Sequence, residues 1–215
     1  PNLEALVAVE PDVIISGQRF TSFDEEMQKL VPDAVLLNFE PREGEEFDEE
    51  LIRQTLELGE VFGKQAEAEQ AVEDFTKAIE RARSAYNPDQ TVMATAVSGG
   101  EIGYVAPGLG RTWGPLFDLI GLTPALEVDN ASDDHQGDDI SVEAIASANP
   151  DWMLVLDRDA GTKTDESSPE ALAVISDSAP LRNVAAVQQD HVYIAPNDTY
   201  TNESILTYTE ILNDM

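Results

Sequence analysis

Hydrophobic residues along this chain follow two patterns, one typical of short buried strands and one typical of amphipathic helices. Short apolar runs predict strands at residues 13–16, 34–37, 91–97, 102–105, 152–156 and 192–194. Between residues 65 and 86 the apolar positions instead recur every three or four residues, which predicts one helix of about 30 Å. Because strands alternate with helical stretches, the pattern indicates an α/β fold with largely parallel sheets.

One segment of the chain occurs twice. A short helical stretch, a Pro-Asp pair and an apolar run appear near the start and again near residue 150. The matching pairs are Glu4 and Glu143, Pro11 and Pro150, Asp12 and Asp151, and Arg19 and Arg158, each 139 positions apart. A duplicated hydrophobic pattern needs only a core, whereas a duplicated arginine beyond a strand suggests a duplicated binding edge.

The repeat divides the chain, because one copy precedes the long helix and the other follows it. We therefore expect an N-terminal lobe at residues 1–63, short of its opening strands, an interlobe helix at 64–87 and a C-terminal lobe at 88–215. Ligands of open parallel sheets bind beyond the carboxyl ends of the strands. Arg19 and Arg158 both follow strands, so facing lobes would bring them into one cleft. Either arginine could equally form a surface ion pair with one of the many carboxylates.

Composition excludes several classes of function. The 43 acidic and 12 basic residues give a net charge of −31, which disfavours nucleic acid as a partner. The absence of cysteine removes disulfides, iron–sulfur clusters and thiol nucleophiles. Neither a membrane-spanning run nor a leader peptide is evident. Since the chain begins at Pro1 with no initiator Met, we expect that a leader or a longer N-terminal segment has been removed.

Three further residues could contribute chemistry. Arg111 follows a glycine-containing loop and is expected to open a helix, where free N–H groups favour an anion. His135 lies in the acidic stretch 129–139, either as an exposed loop histidine or as part of a metal site. Tyr200 follows the strand at 192–194, either as a half-buried tyrosine or as a ligand contact. The sequence contains no nucleophile elbow, phosphate loop or His-x-x-x-His pair.

The chain resembles the substrate-binding proteins of iron–siderophore ABC importers, which have two α/β lobes joined by a single long helix. The similarity rests on stretches 2–17, 58–64, 110–114, 149–158 and 192–200. They cover only the later part of such a protein, so the opening strands and any lipoprotein leader would be missing.

The resemblance implies specific roles. In the catecholate branch of this class, arginines from three loops surround the anionic ligand, and Arg19, Arg111 and Arg158 stand at the matching positions. Guanidinium groups suit a ferric tris-catecholate, which carries about three net negative charges. His135 and Tyr200 match residues that bind iron when a tetradentate siderophore leaves two sites open, although the His135 loop is one residue longer than the family pattern.

The resemblance also implies partners. Glu4 and Glu143 match the glutamates through which this class docks onto arginines of the membrane permease. We therefore expect a monomeric, non-enzymatic, extracytoplasmic receptor, periplasmic or lipid-anchored, that has no intrinsic cofactor and carries a ferric siderophore as its transported ligand. Two alternatives remain: a haem or corrinoid receptor of the same fold, and a metal-dependent enzyme or metal-binding surface domain that uses the 129–139 loop.

Overall fold

A computed structural model describes residues 1–134, 136–162 and 169–215 of the 215-residue chain. Its contacts divide the chain into two compact units, Pro1–Gln54 and Thr55–Met215. The mixed α/β fold with largely parallel strand pairing confirms the class predicted from the sequence. The assignment of residues 1–63, 64–87 and 88–215 to two lobes and a connecting helix stays a prediction.

The first unit contains a two-stranded parallel sheet and its helices. Its elements are α1 (Leu3–Val9), β1 (Val13–Ser16), a 3₁₀ turn (Gln18–Phe23), α2 (Asp24–Leu30), β2 (Val35–Asn38) and most of α3 (Phe47–Val61). A small core forms where Ile14 of β1 packs with Met27 and Val31. Helix α3 begins at Phe47, and Asp48 lies in its first turn.

The second unit is built on a five-stranded sheet. Its elements are α4 (Gln65–Ala85), β3 (Thr91–Ser98), β4 (Glu101–Tyr104), α5 (Gly114–Ile120), β5 (Thr123–Pro124), α6 (Val142–Ala148), β6 (Trp152–Asp157), α7 (Arg158–Thr162), α8 (Ala171–Asp177), a 3₁₀ turn (Leu181–Asn183), α9 (Ala185–Gln188), β7 (Val192–Ile194) and α10 (Ile205–Asp214). The strand order is β4-β3-β6-β7, with β5 beside β3. All pairs are parallel except the β3–β4 hairpin. The described helices include none long and apolar enough to cross a membrane.

The long helix and the core of the second unit follow the apolar pattern. Helix α4 spans 21 residues, and its buried positions include Phe75 and Ile79. It packs against α10 within the same unit. A fully buried cluster on the sheet includes Met93, Met153 and Val155. Because β3 and β6 are covered on both faces, they appear in the sequence as nearly continuous apolar runs.

The two copies of the repeat have the same local structure. Adding 139 to the bounds of α1 gives the bounds of α6. Each helix is capped by a side chain, since Asn2 accepts a hydrogen bond from the Ala5 amide and Ser141 accepts one from the Ala144 amide. Each ends in a left-handed residue, with φ of 47° at Glu10 and 48° at Asn149. The repeat is therefore a repeat of backbone structure, and each copy leads into a parallel strand.

Candidate functional site

Arg158 lies at the carboxyl end of β6, where the strand gives way to α7. Its Nη1 donates to the Ser98 hydroxyl at 3.1 Å. Ser98 ends the neighbouring strand β3, and the turn that follows uses Gly99 and Gly100 with φ of 59° and 81°. Such a tight hairpin favours glycine because both central residues have positive φ. The pairing of β3 with β6 therefore sets the hydroxyl beside the guanidinium.

Arg111 does not open a helix, which corrects the expectation from the sequence. It lies in a turn, and α5 begins three residues later at Gly114. The intervening Thr112 has a φ of 66°, which interrupts the helical backbone. The Arg111 side chain instead contacts the segment before α10: its Nε donates to Glu203 at 2.6 Å and its Nη2 donates to the Tyr200 carbonyl at 3.0 Å.

Tyr200 brings the two arginines together. The Arg111 Cζ lies 4.8 Å from the centroid of the Tyr200 ring, and the Arg158 Cζ lies 5.1 Å from the same centroid. Both distances fall within the range of cation–π attraction. Two of the three predicted arginines and the predicted tyrosine therefore form one cluster, which we call the Arg-Tyr cluster (Arg111, Arg158 and Tyr200).

Glu203 fixes Arg111 and partly offsets its charge. Its second carboxylate oxygen accepts a hydrogen bond from the Tyr208 hydroxyl at 2.6 Å. Burial raises the pKa of that hydroxyl well above its usual value, and the adjacent Glu203 carboxylate raises it further. Tyr208 therefore stays a neutral donor and holds Glu203 against Arg111. Two guanidinium groups therefore share one paired carboxylate, while the adjacent buried Asp157 and Asp159 accept hydrogen bonds from backbone amides.

Arg158 has no counter-charge among the described residues. No described carboxylate lies within salt-bridge distance of its guanidinium, and its buried Nε has no hydrogen-bond partner. Three more buried polar atoms lack a partner in the described part of the chain, and they belong to neighbours of the cluster in sequence: Thr112, Trp113 and Thr199. Buried polar groups are normally paired, so the unpaired Nε of Arg158 is the feature of the cluster that a bound anion would explain.

Arg19 and His135 are the other two residues predicted to contact the ligand or its iron. Arg19 belongs to the first unit, where it is exposed in the 3₁₀ turn and its Cζ lies 5.0 Å from the ring of Phe20. It follows the end of β1 by three residues, whereas Arg158 follows β6 directly, because β6 is two residues longer. His135 lies outside the described residues. Its role in binding iron stays a prediction, as does that of Arg19 in binding the ligand.

Glu4 and Glu143 occupy equivalent exposed positions in the first turns of α1 and α6. A carboxylate there interacts favourably with the helix dipole, so the position also has a structural explanation.

Within the described ranges of the acidic stretch, Asp138 accepts hydrogen bonds from the amide and hydroxyl of Ser132. No group of three or more metal-ligating side chains was found in the described residues. The carboxylate of Asp138 therefore already has local hydrogen-bond partners.

The sequence did not reveal Ser98 or Glu203 as members of the site. Ser98 is 60 residues from Arg158, and Glu203 is 92 residues from Arg111. Neither belongs to a motif. The carboxyl-end position of Ser98 beside a parallel strand was the one available signal, because the ends of adjacent parallel strands meet at one edge.

Comparison with known proteins assigns this chain to a family. A family model described as "Periplasmic binding protein" matches residues 1–199. The chain is 27% identical over 219 residues to the ferric-anguibactin-binding protein FatB of Vibrio anguillarum, and 25% identical over 201 residues to the petrobactin-binding protein YclQ of Bacillus subtilis. These alignments cover 100% and 93% of this chain but only 66% and 60% of the two relatives.

A solved structure shares the fold. The periplasmic catecholate-siderophore binding protein VctP of Vibrio cholerae superposes with a TM-score of 0.78 at 20% identity, covering 100% of this chain and 74% of that one. Since the family model matches most of the sequence, this chain belongs to the periplasmic binding protein family.

Proposed function

We propose that this protein is an extracytoplasmic receptor that binds a ferric catecholate-type siderophore and delivers it to an ABC permease. The observation that carries the proposal is the Arg-Tyr cluster, in which Arg111 and Arg158 flank Tyr200 at 4.8 and 5.1 Å. In a chain with a charge of −31, two arginines that converge on one ring favour an anionic ligand at that place.

The chemistry of the cluster favours a catecholate complex over a simple anion. Guanidinium groups combine a permanent charge with a flat face, so they can pair with phenolate oxygens and stack on catechol rings. The Tyr200 ring adds an aromatic surface between them. The names of the relatives FatB, YclQ and VctP, all siderophore-binding proteins, support the same ligand class for this chain.

The remaining assignments belong to this proposal. We propose that Arg19 also contacts the ligand, and that His135 and Tyr200 complete the coordination of iron when the siderophore is tetradentate, since phenolate oxygen is a hard ligand suited to ferric iron. Glu4 and Glu143 would dock onto the permease. Membership of the periplasmic binding proteins supports a binding role rather than an enzymatic one, and a periplasmic or lipid-anchored location.

Titration of the full chain with ferric complexes tests the proposal. Trp113, two residues beyond Arg111, and Trp152 are the tryptophans of the chain, so ligand binding can be followed by quenching of their fluorescence. We expect saturable quenching by an anionic ferric catecholate with a Kd of about 1 µM or tighter, and at least about 100-fold weaker binding of a neutral ferric trihydroxamate. Equal affinity for the two complexes, or no quenching by any ferric catecholate, would refute the proposal.

The same titration separates the alternatives. A haem receptor would acquire a Soret band on addition of haem, whereas a ferric catecholate contributes a charge-transfer band. A metal-binding domain that uses the 129–139 loop would bind calcium or zinc tightly, would lose that binding on substitution of Asp133 and Asp138, and would be insensitive to replacement of Arg158.

A further inference from the structure

A separate cavity lies at the other end of the sheet from the Arg-Tyr cluster. It has a volume of about 160 Å³ and is enclosed by α4, α5, α10 and the sheet. Trp152, the first residue of β6, lines it, whereas Arg158 follows the last residue of that strand. Six residues of strand separate the two places by roughly 20 Å. The cavity therefore belongs to neither the cluster nor the function proposed above.

Three aromatic side chains line the cavity: Tyr86, Trp152 and Tyr193. Tyr86 donates its hydroxyl hydrogen to the Gln90 carbonyl and accepts a hydrogen bond from the Thr123 amide at 2.9 Å. The Trp152 ring is stacked on His191, with centroids 4.1 Å apart and planes 2° apart. These contacts fix the orientation of both rings, so Tyr86 and Trp152 offer the cavity aromatic surface.

Tyr193 and Asp214 complete the lining with a neutral hydroxyl and a carboxylate. The Tyr193 hydroxyl donates to Asp214 at 3.4 Å. Burial raises the pKa of Tyr193, and the carboxylate of Asp214 raises it further, so the phenol stays protonated. Asp214 itself is exposed and lies at the mouth of the cavity.

Asp214 contributes a carboxylate to the lining of the cavity. None of its lining residues is a lysine or an arginine, and no described cation lies within salt-bridge distance of Asp214. Arg81, on the neighbouring face of α4, hydrogen-bonds the side-chain amide of Asn213 instead. Aromatic rings beside a carboxylate that lacks a basic partner attract a cation, because the negative faces of the rings and the carboxylate act together.

We propose that this cavity, formed by Tyr86, Trp152, Tyr193 and Asp214, is a second binding site that takes a small organic cation of the alkylammonium class. The volume suits a group of the size of a quaternary ammonium and excludes a siderophore. The strongly negative charge of the whole chain adds to the attraction. The cation site does not involve the ferric ligand, so this proposal and the proposed function are tested by separate experiments.

Indole N–H resonances of the full chain provide the test, since the sequence contains only two tryptophans and the Trp152→Phe variant assigns them. Choline is the probe, dimethylbutanol is its uncharged carbon isostere, and sodium chloride controls for ionic strength. We expect choline to shift the Trp152 signal saturably with a Kd of about 1 mM. Neither control should produce that shift.

Substitutions at two exposed helix-end aspartates complete the test. Asp214→Asn should weaken choline binding at least about fivefold, whereas Asp177→Asn, at the end of α8 and away from the cavity lining, should leave it unchanged. Three results would each overturn the proposal: no saturable shift with choline, equal binding of the uncharged isostere, or equal effects of the two substitutions.

Discussion

Replacement of Glu50 by glutamine should destabilise the first unit in a way that depends on pH. The Glu50 side chain is only 2% exposed and lies between two arginines. It accepts hydrogen bonds from Arg53 Nη2 at 2.7 Å, from Arg42 Nε at 2.8 Å and from the Arg42 amide at 2.9 Å. These hydrogen bonds, first from Arg53 and then from Arg42, lower the pKa of Glu50 from 4.5 to about 2 despite its burial.

The loss of unfolding free energy expected for Glu50→Gln follows from the lowered pKa of Glu50. A difference of about 2.5 in pKa corresponds to roughly 3.5 kcal/mol at about 1.4 kcal/mol per unit. The Arg42 side chain is 54% exposed, so solvent weakens its interaction with Glu50. We therefore expect Glu50→Gln to lower the unfolding free energy by about 2 kcal/mol near neutral pH. The folded-state pKa is lower than the unfolded one, so this stabilisation is complete above about pH 4.5 and disappears as pH falls towards about 2.

Urea unfolding followed by circular dichroism measures this effect. The difference in unfolding free energy between wild type and Glu50→Gln should be about 2 kcal/mol at about pH 7 and should shrink by more than half at about pH 3. Glu49→Gln is the matched control, because Glu49 is its exposed neighbour on the same helix and should cost less than about 0.5 kcal/mol. A difference that stays constant with pH would refute the reasoning.

Three further predictions concern the proposed site and partner. Glu203→Gln keeps an acceptor for Arg111 but removes a negative charge. Affinity for an anionic ferric catecholate should therefore rise about threefold to tenfold at low salt, and this gain should disappear at high salt. Weaker binding of the variant in a fluorescence titration would contradict this prediction. Tyr200→Phe should weaken binding of a tetradentate ferric siderophore more than that of a hexadentate one, and equal losses would argue against an iron ligand. Glu4→Ala and Glu143→Ala should leave the siderophore Kd unchanged but lower uptake through the permease, and unimpaired uptake would exclude docking there.

Local signals in the sequence predicted the elements well. The bounds predicted for α4 and β7 agree with the structure within one residue, because the apolar pattern of each element is a local feature. The repeat was equally readable, since its caps and Pro-Asp pairs lie within a few residues of each helix. Two-residue β5 was missed because it is too short to show a periodic pattern.

Features that depend on tertiary structure were harder to predict from the sequence. The strand-end rule correctly brought Arg158 and Tyr200 to one edge, but Arg111 reached them from a turn rather than from a helix N-terminus, because Thr112 takes a left-handed backbone conformation. Glu203 carries no sequence signal, and Ser98 has only its position at the carboxyl end of a strand, since their roles arise when distant segments meet. The aromatic cavity likewise combines residues from six elements.

The affinity of an Arg158→Gln variant for an anionic ferric catecholate tests the central claim most directly. The matched control is Arg182→Gln, which removes the same charge from an exposed position on the 3₁₀ turn Leu181–Asn183. We predict that Arg158→Gln weakens binding at least about 30-fold, because it removes the charge that Arg158 would pair with the anionic ligand. Arg182→Gln should change the affinity less than about twofold. Equal effects of the two substitutions would contradict the assignment of the Arg-Tyr cluster as the siderophore site.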